Sequence, residues 1–155
     1  MAETATPEHA ELLPPTYWSG CALLMVALHV FFPLVRWAEP TFVYAGFGLI
    51  ALAGMLGGWA VWTFHRHETP IHPFEPARRL VTVGPYRYSR NPMYLSLLVM
   101  LLGIFVLLGS VTPLVVLLVF ETIISTRFIG PEERALESHY GDAYRRYKST
   151  VRRWM

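Results

Sequence analysis

Charged residues are scarce in this chain. They make up only 15% of its 155 residues, whereas soluble globular proteins carry about a quarter. Hydrophobic residues reach 54%, and the mean hydropathy is +0.37. So little polar surface cannot cover a small water-soluble globule, and the same composition excludes a disordered chain, a collagen and a coiled coil. Most of the chain is therefore expected to lie in lipid.

Cysteine and the common catalytic motifs are also nearly absent. Cys21 is the only cysteine, which excludes an internal disulfide. The sequence has no Ser-His-Asp arrangement, Walker loop or dinucleotide glycine fingerprint, so acyl transfer and Rossmann-type binding lack support. His65, His67 and His72 lie close together, but no cysteine is near them. A His-x-His pair alone is a weak signal, and we predict no metal site.

The first 16 residues contain no Lys or Arg. The apolar run that follows is too long for a signal peptide and lacks a small-residue cleavage site, so a cleaved leader is not expected. We predict a mobile N-terminal tail over residues 1–16 and a single membrane domain over residues 17–155.

Long apolar runs fill most of the chain up to residue 126. The first two runs, Tyr17–Val35 and Thr41–Phe64, carry no formal charge and have the roughly 20 residues that a helix needs to cross a bilayer. The third run, Pro92–Thr126, would be about 50 Å long as one helix, too long for a hydrocarbon core of about 30 Å. Gly109-Ser110 and Pro113 interrupt it, which predicts a hairpin of two helices. The predicted fold is all-α, with four transmembrane helices over residues 17–35, 41–64, 92–108 and 111–126.

Basic residues predict the orientation of these helices. Twelve of the thirteen Lys and Arg residues lie in two segments, 66–90 and 127–153, and only Arg36 lies elsewhere. With four spans, both segments and the N-terminus share one side of the membrane. The positive-inside rule makes that side cytoplasmic.

The second run contains five glycines, including a G-x-x-x-G from Gly54 to Gly58. Small residues at this spacing let helix backbones approach closely in a membrane. The motif predicts packing within the bundle or, alternatively, a homodimer contact through span two.

The C-terminal tail is predicted to form an amphipathic helix. Gly130-Pro131 favours a helix start, and Gly141 interrupts the helix. An aromatic face with Tyr144 and Tyr147 lies opposite a basic face, which indicates a segment lying on the anionic cytoplasmic leaflet. Nucleic-acid binding, the other interpretation of a basic run, is not expected beside a membrane bundle.

Three groups of polar residues could carry chemistry. The first is the loop of residues 69–94, far longer than a simple connector, where Arg87 and Arg90 alternate with tyrosines and serve either as lipid anchors or as part of a pocket wall. The second is Arg127 with the Glu132-Glu133 pair, either a solvated surface or a binding site for a polar or cationic group. The third is Glu121, an ionisable residue within an apolar helix, for which structural and functional roles are both open.

Two sequence blocks together resemble the isoprenylcysteine carboxyl methyltransferase family, and most closely its short bacterial members. The first block is LVTVGPYRYSRNPMYL, with the pattern R-[HN]-P-x-Y, followed by an apolar hairpin with LLGS. The second is RFIGPEERALESHYGDAYRRYKSTVRRW, which joins P-E-E to Y-G-x-x-Y-x-x-Y. The resemblance covers about residues 64–155, and the first two spans match only in character.

The resemblance implies an enzyme that binds S-adenosylmethionine on the cytoplasmic side, in a site built from residues 78–94 and 127–147. It also implies a location in the bacterial inner membrane and a lipophilic or amphiphilic acceptor with a carboxylate, thiol or amine. Arg127 lies within one position of an arginine that binds the substrate carboxylate in the prenylcysteine enzymes of the family. We assign Arg127, together with Arg90, to the catalytic set. The implied cofactor-binding residues are Arg78, Arg79, Leu80, Val81, Tyr86, Asn91, Pro92, Met93, Tyr94 and Glu132.

Two positions depart from the family pattern, and alternatives follow. Asn91 stands where many relatives have His, and Ser96 stands where Gly is frequent. Neither of these two departures indicates which acceptor is methylated. A phospholipid head-group N-methyltransferase is one alternative, and an NADPH-dependent membrane reductase of the sterol-reductase type is another. A membrane scaffold without enzymatic activity is a third, but it would not explain the long loop and the carboxylate pair.

Overall fold

The computed structural model describes residues 13–37, 39–67 and 80–155, and within these ranges the chain is helical and forms no strand. A short 3₁₀ helix, Gly84–Arg87, precedes α3, and a π-helical turn, Ser125–Ile129, joins α4 to α5. The α-helices are α1 (Pro14–Phe31), α2 (Pro40–Arg66), α3 (Pro92–Leu108), α4 (Leu114–Ile124), α5 (Gly130–Tyr140) and α6 (Asp142–Thr150).

The predicted hairpin is confirmed, but its second helix begins at Leu114 rather than residue 111 and continues past residue 126. Helix α3 begins at Pro92, where the missing N–H costs no hydrogen bond. It ends before Gly109, whose φ of 66° is readily adopted only by glycine. A Cβ at Gly109 would lie 2.5 Å from the carbonyl oxygen of Trp37, so the turn also needs glycine for space.

The bounds predicted for the first span are wrong at both ends. Helix α1 already begins at Pro14, so residues 14–16 belong to the helix, while residues 1–12 of the predicted tail lie outside the described ranges. The helix ends at Phe31 because Phe32 precedes Pro33, and a residue before proline disfavours the α conformation. Residues 32–37 instead run beside the α3–α4 turn, where the Leu34 N–H donates to Thr112 Oγ1.

Helix α5 begins at Gly130, as predicted, but it is not a separate helix, because α4, the π turn and α5 form one continuous helix. The Gly130 N–H donates to the carbonyl of Ser125, five residues back. A proline ring inside a regular α-helix would clash with the carbonyl four residues earlier. The wider π turn just before Pro131 is the kind of local adjustment that lets a helix continue past such a residue.

The core lies between α1, α3 and α4. Met25, Leu101 and Phe120, one from each helix, are fully buried there. Helix α2 packs against the other side of α3 through small residues. A Cβ at Gly103 of α3 would lie 2.9 Å from the carbonyl oxygen of Gly46, so the two backbones nearly touch.

The G-x-x-x-G motif does not take part in this packing. Among the described residues, no atom lies within 4 Å of a Cβ built at Gly54 or Gly58. Packing within the bundle instead uses Gly46 and Gly57, the latter against Ser96. The first interpretation of the motif is therefore wrong, and the homodimer contact stays a prediction.

Among the described residues, two helices are long and apolar enough to cross a membrane, namely α2 and the continuous helix Leu114–Tyr140, while α3 is apolar but shorter. Large apolar side chains point away from the protein, for example Phe31, Met55 and Leu118, which are 65–73% exposed. Contiguous apolar surface of this kind is unfavourable in water and suits a lipid environment.

The aromatic face of the C-terminal helices packs against protein rather than lipid. Gly141, with a φ of 51°, separates α5 from α6, which confirms the predicted interruption. Tyr144 and Tyr147 are 1% and 9% exposed. The Tyr147 hydroxyl donates to the carbonyl of Tyr86 at 2.7 Å. The prediction that these tyrosines lie on the membrane is therefore wrong.

Candidate functional site

One end of the bundle gathers several of the sequence-predicted cofactor residues. The end of α2, the segment that follows residue 80 and the start of α3 meet there. Val81 and Tyr86 are buried together with Ala60 of α2, and Phe64 and Met93 pack against them. The rings of Phe64 and Tyr86 are stacked, with centroids 4.8 Å apart and planes 17° from parallel. This apolar, aromatic surface forms one side of the candidate site.

The first turn of α5 brings Glu132 to the same place. This residue lies beyond Thr126, where the predicted fourth span ends. The Tyr94 hydroxyl, on the first turn of α3, is hydrogen-bonded to the Glu132 carboxyl. Within the described part of the chain, the buried Oε2 of Glu132 has no hydrogen-bond partner.

A buried carboxyl oxygen without a partner is unusual, because desolvating a polar group without compensation costs free energy. Burial raises the pKa of Glu132 to about 7, the hydrogen bond from Tyr94 opposes this shift, and the neighbouring Glu133 charge adds to it. Burial and the Glu132 charge also raise the pKa of Tyr86. The site therefore holds a carboxyl that titrates near neutral pH beside a phenol that stays protonated.

Such an arrangement suits a ligand with a cationic or hydroxyl group and a flat apolar part. An ionised Glu132 would accept a hydrogen bond from an ammonium or a hydroxyl group. The stacked Phe64 and Tyr86 rings offer a surface against which an aromatic ring can pack.

Glu133, the neighbour of Glu132, is held by two arginines. Arg90 Nη2 lies 2.8 Å from Glu133 Oε1, and Arg153 Nη2 lies 2.6 Å from Oε2. Burial raises the pKa of Glu133, but hydrogen bonds from Arg153 and Arg90, with their charges, outweigh it and hold that pKa below its ordinary value. Glu133 is therefore ionised and paired, whereas one oxygen of Glu132 has no hydrogen-bond partner among the described residues.

The residues before α3 also hold the C-terminal segment. Ser89 Oγ and Asn91 Nδ2 both donate to the carbonyl of Arg153 at 3.1 Å. Arg90 Nη1 donates to the carbonyls of Lys148 and Val151. The Asn91 side chain, predicted to contact a cofactor, is thus engaged with the end of the chain.

The remaining predicted residues lie in different surroundings. Pro92 begins α3, and Leu80 is half-buried. Arg127 is exposed on the π turn, at the end of the apolar part of its helix. Arg78 and Arg79 lie outside the described residues, as does His72 of the histidine cluster.

Glu121 is half-buried on α4 and accepts a hydrogen bond from Ser125 Oγ at 2.7 Å. This contact is made within one helix, between residues four apart. It satisfies one oxygen of the carboxylate and leaves the choice between a structural and a functional role open.

The sequence interpretation named Glu133 only as a member of the carboxylate pair, and it missed Ser89 and Arg153. Adjacent residues on a helix point in directions about 100° apart, so two neighbouring carboxylates were expected to face different surroundings. No local pattern pointed to Arg153, whose partner lies twenty residues away in the sequence.

Comparison with known proteins supports the resemblance found in the two sequence blocks. An uncharacterized protein of Haemophilus influenzae is 46% identical over 63 residues, which are 41% of this chain and all of that protein. The protein-S-isoprenylcysteine O-methyltransferase of Schizosaccharomyces pombe is 41% identical over 73 residues, 46% of this chain. The chain covers only 30% of the length of that yeast enzyme. No solved structure is significantly similar.

The phospholipid methyltransferase family model matches residues 41–143. This range includes α2 and α3, the aromatic surface and the Glu132-Glu133 pair. Since the match covers more than half of the chain, this protein belongs to the phospholipid methyltransferase family.

Proposed function

We propose that this protein is a membrane methyltransferase that uses S-adenosylmethionine and acts on a lipophilic or amphiphilic acceptor. The observation that carries the proposal is the half-buried Glu132, whose buried Oε2 is unpartnered among the described residues, beside Tyr94 and the stacked Phe64 and Tyr86 rings. S-adenosylmethionine has the groups that suit this arrangement, namely an ammonium, ribose hydroxyls and an adenine ring. When bound, it supplies an electrophilic methyl group on a sulfonium.

The residues of the proposed site bind different parts of the cofactor. Glu132 accepts a hydrogen bond from the ammonium or from a ribose hydroxyl, and Tyr94 orients its carboxyl. Tyr86, Val81 and Met93 contribute the apolar wall for the adenine. Arg78 and Arg79 complete the proposed cofactor set, as the family resemblance implies.

Alignment of the acceptor with the methyl group is the main requirement for transfer when the acceptor is already a nucleophile. We assign acceptor recognition to Arg127, because its exposed guanidinium lies where the polar end of an amphiphile would meet the apolar helix. The guanidinium of Arg90 is occupied by Glu133 and two backbone carbonyls. We therefore propose that Arg90 contributes by holding other residues in place.

We further propose that the domain of residues 17–155 crosses the membrane four times, with both termini in the cytoplasm of a bacterium. The α3–α4 hairpin and the exposed apolar side chains support this topology, as does the confinement of twelve basic residues to one proposed face. Helices α1 and α3 are 18 and 17 residues long, which is near the lower limit for a span.

Calorimetry on the detergent-purified full chain tests the cofactor. We expect binding of S-adenosylmethionine and of its demethylated product, S-adenosylhomocysteine, and no binding of NADPH. Binding of NADPH without either adenosyl compound would overturn the proposal in favour of a membrane reductase.

The acceptor requires a separate experiment. The yeast relative carries the name of a prenylcysteine carboxyl methyltransferase, and the family carries the name of phospholipid methyltransferases. Transfer of a radiolabelled methyl group to a prenylcysteine analogue or to phosphatidylethanolamine in vesicles distinguishes these acceptors. Base-labile label indicates a methyl ester, and base-stable label in the lipid indicates N-methylation.

A further inference from the structure

Glu132 and Glu133 both contact residues 90–94, the five-residue segment that contains the start of α3. The Arg90 guanidinium binds Glu133, and the Tyr94 hydroxyl binds Glu132. The first turn of α5 therefore has two points of attachment to the start of α3. Two attachments fix its rotation about the helix axis, which one alone would leave free.

A third attachment comes from the C-terminal end of the chain. Arg153 donates to Glu133 through both Nε and Nη2, at 3.2 and 2.6 Å. The backbone of this C-terminal end is bound to the start of α3, because the Arg90 N–H donates to the carbonyl of Arg152 at 3.0 Å. Trp154 packs against the bundle core just beyond. Residues 151–154 thus form a strap that joins α3 to α5.

Arg90 also binds the end of α6, because its Nη1 donates to the carbonyls of Lys148 and Val151. Carbonyls at a helix C-terminus lack partners within the helix, and a cationic side chain there is favoured by the helix dipole. The Arg90 side chain is 9% exposed and that of Glu133 is 7% exposed. Breaking this buried pair would leave a charge without compensation, so the contact is expected to be rigid.

From this geometry we infer that Glu133, Arg90 and Arg153 are positioning residues that aim the Glu132 carboxyl into the ligand site. Glu133 touches no ligand in this scheme. It fixes the first turn of α5 so that Glu132, one residue earlier, meets Tyr94 and directs its second oxygen toward the site. The C-terminal strap is therefore part of the binding apparatus. The inference rests on the proposed role of Glu132 in binding S-adenosylmethionine.

A double-mutant cycle on the full chain tests the inference, with S-adenosylmethionine affinity as the measurement. We expect Glu133→Gln and Arg153→Gln each to weaken binding about fivefold or more in the wild-type background. In the Glu132→Gln background the same changes should alter affinity less than twofold, because the residue through which they act is already gone. Coupling of this size is typical of residues that share one hydrogen-bond network or are coupled through the backbone.

Three further features make the test discriminating. Arg153→Lys keeps the charge but loses the two-point contact, so it should weaken binding less than Arg153→Gln, and it replaces Glu133→Gln if that variant does not fold. Glu137→Gln is the matched control on α5, since among the described residues that half-buried carboxylate forms ion pairs with Arg145 and Lys148 and none with Arg90 or Arg153. At a saturating concentration of S-adenosylmethionine, the Glu133 and Arg153 variants should have the same KM for the acceptor as the wild type.

The outcomes separate the two proposals. Equal losses of affinity in both backgrounds, or no loss in the wild-type background, would overturn the positioning role while leaving the proposed function in place. Unchanged affinity in Glu132→Gln alone would instead overturn the assignment of Glu132, on which the inference depends.

Discussion

Glu132 and Glu133 are adjacent in sequence, yet their surroundings are opposite. Two arginines neutralise Glu133, whereas the charged form of Glu132 is opposed by burial and by its neighbour's charge. A cationic ligand group would supply the missing partner. Single-residue variants of this pair therefore test the site directly.

Glu132→Gln should weaken S-adenosylmethionine binding by about tenfold or more. A hydrogen bond to a charged group contributes about 1.5–3 kcal/mol, which corresponds to at least one order of magnitude in affinity. Isothermal titration of the purified variant measures this change, with Glu137→Gln as the control on the same helix. Equal affinities for wild type and Glu132→Gln would contradict the assignment.

The affinity for S-adenosylmethionine should also depend on pH through Glu132. The pKa of this carboxyl is about 7 in the free protein, so its ionised fraction rises as the pH rises through 7. A cationic ligand binds the ionised form, and we expect binding about tenfold weaker near pH 6 than near pH 8.

Binding below about pH 7 should release a proton, which titrations in buffers of different ionisation enthalpy detect. Glu132→Gln removes this contribution and is the control. A wild-type protein whose pH profile matches that of the variant would show that Glu132 does not titrate on binding.

Arg127→Lys tests acceptor recognition. The arginine fork can bind a carboxylate or phosphate at two points, which lysine cannot reproduce. We expect a higher KM for the acceptor or a lower kcat, with cofactor affinity nearly unchanged. If Arg127 is only a lipid anchor, lysine should substitute without effect on the kinetics. A loss of affinity for S-adenosylmethionine would instead indicate that Arg127 binds the cofactor rather than the acceptor.

At the scale of helices, the close contact of α2 with α3 depends on glycine. A Cβ at Gly103 would lie 2.8 Å from Ile50 Cγ1 as well as 2.9 Å from the backbone of Gly46. Gly103→Ala should therefore destabilise the protein, because overpacking of a tight contact costs about 1–3 kcal/mol.

Gly54→Ala is the matched control, since no described atom lies near that position. Alanine has the higher helix propensity, by about 1 kcal/mol, so this variant should be as stable as the wild type or more so. Thermal unfolding in detergent compares the two variants. If Gly103→Ala were also stabilising, the two helices would not be as close as described.

The π turn is the other feature at this scale, because it decides where Glu132 points. Without it, Pro131 would end or kink the helix. With it, the helix continues from the apolar segment into the polar one, and the carboxylate pair is rigidly connected to the membrane-facing part of the molecule.

For the whole molecule, the proposed topology places Glu39 and Thr150 on opposite sides of the membrane. In a Cys21→Ala background, Glu39→Cys should be labelled by a membrane-impermeant thiol reagent only from outside intact cells. Thr150→Cys should be labelled only after the cells are opened. Labelling of Glu39→Cys from the cytoplasm alone would contradict the four-span arrangement.

The sequence by itself determined the features that depend on local chemistry. Scarce charge and long apolar runs indicated helices in lipid. Pro92 and Gly109 set the bounds of α3, because proline suits a helix start and glycine accepts a positive φ. The two blocks around Arg90 and Glu132 were sufficient to identify the family, since both the residue types and their spacing are retained.

The tertiary structure decided which residues meet. Tyr144 and Tyr147 have a spacing that suits a membrane surface equally well, and only the packing of α6 against residues 84–91 buries them. Glu132 and Glu133 are chemically identical, and the sequence could not assign their partners. Arg90 and Arg153 lie 43 and 20 residues from Glu133. Contacts across such distances depend on how helices pack, which local patterns of charge and hydropathy do not specify.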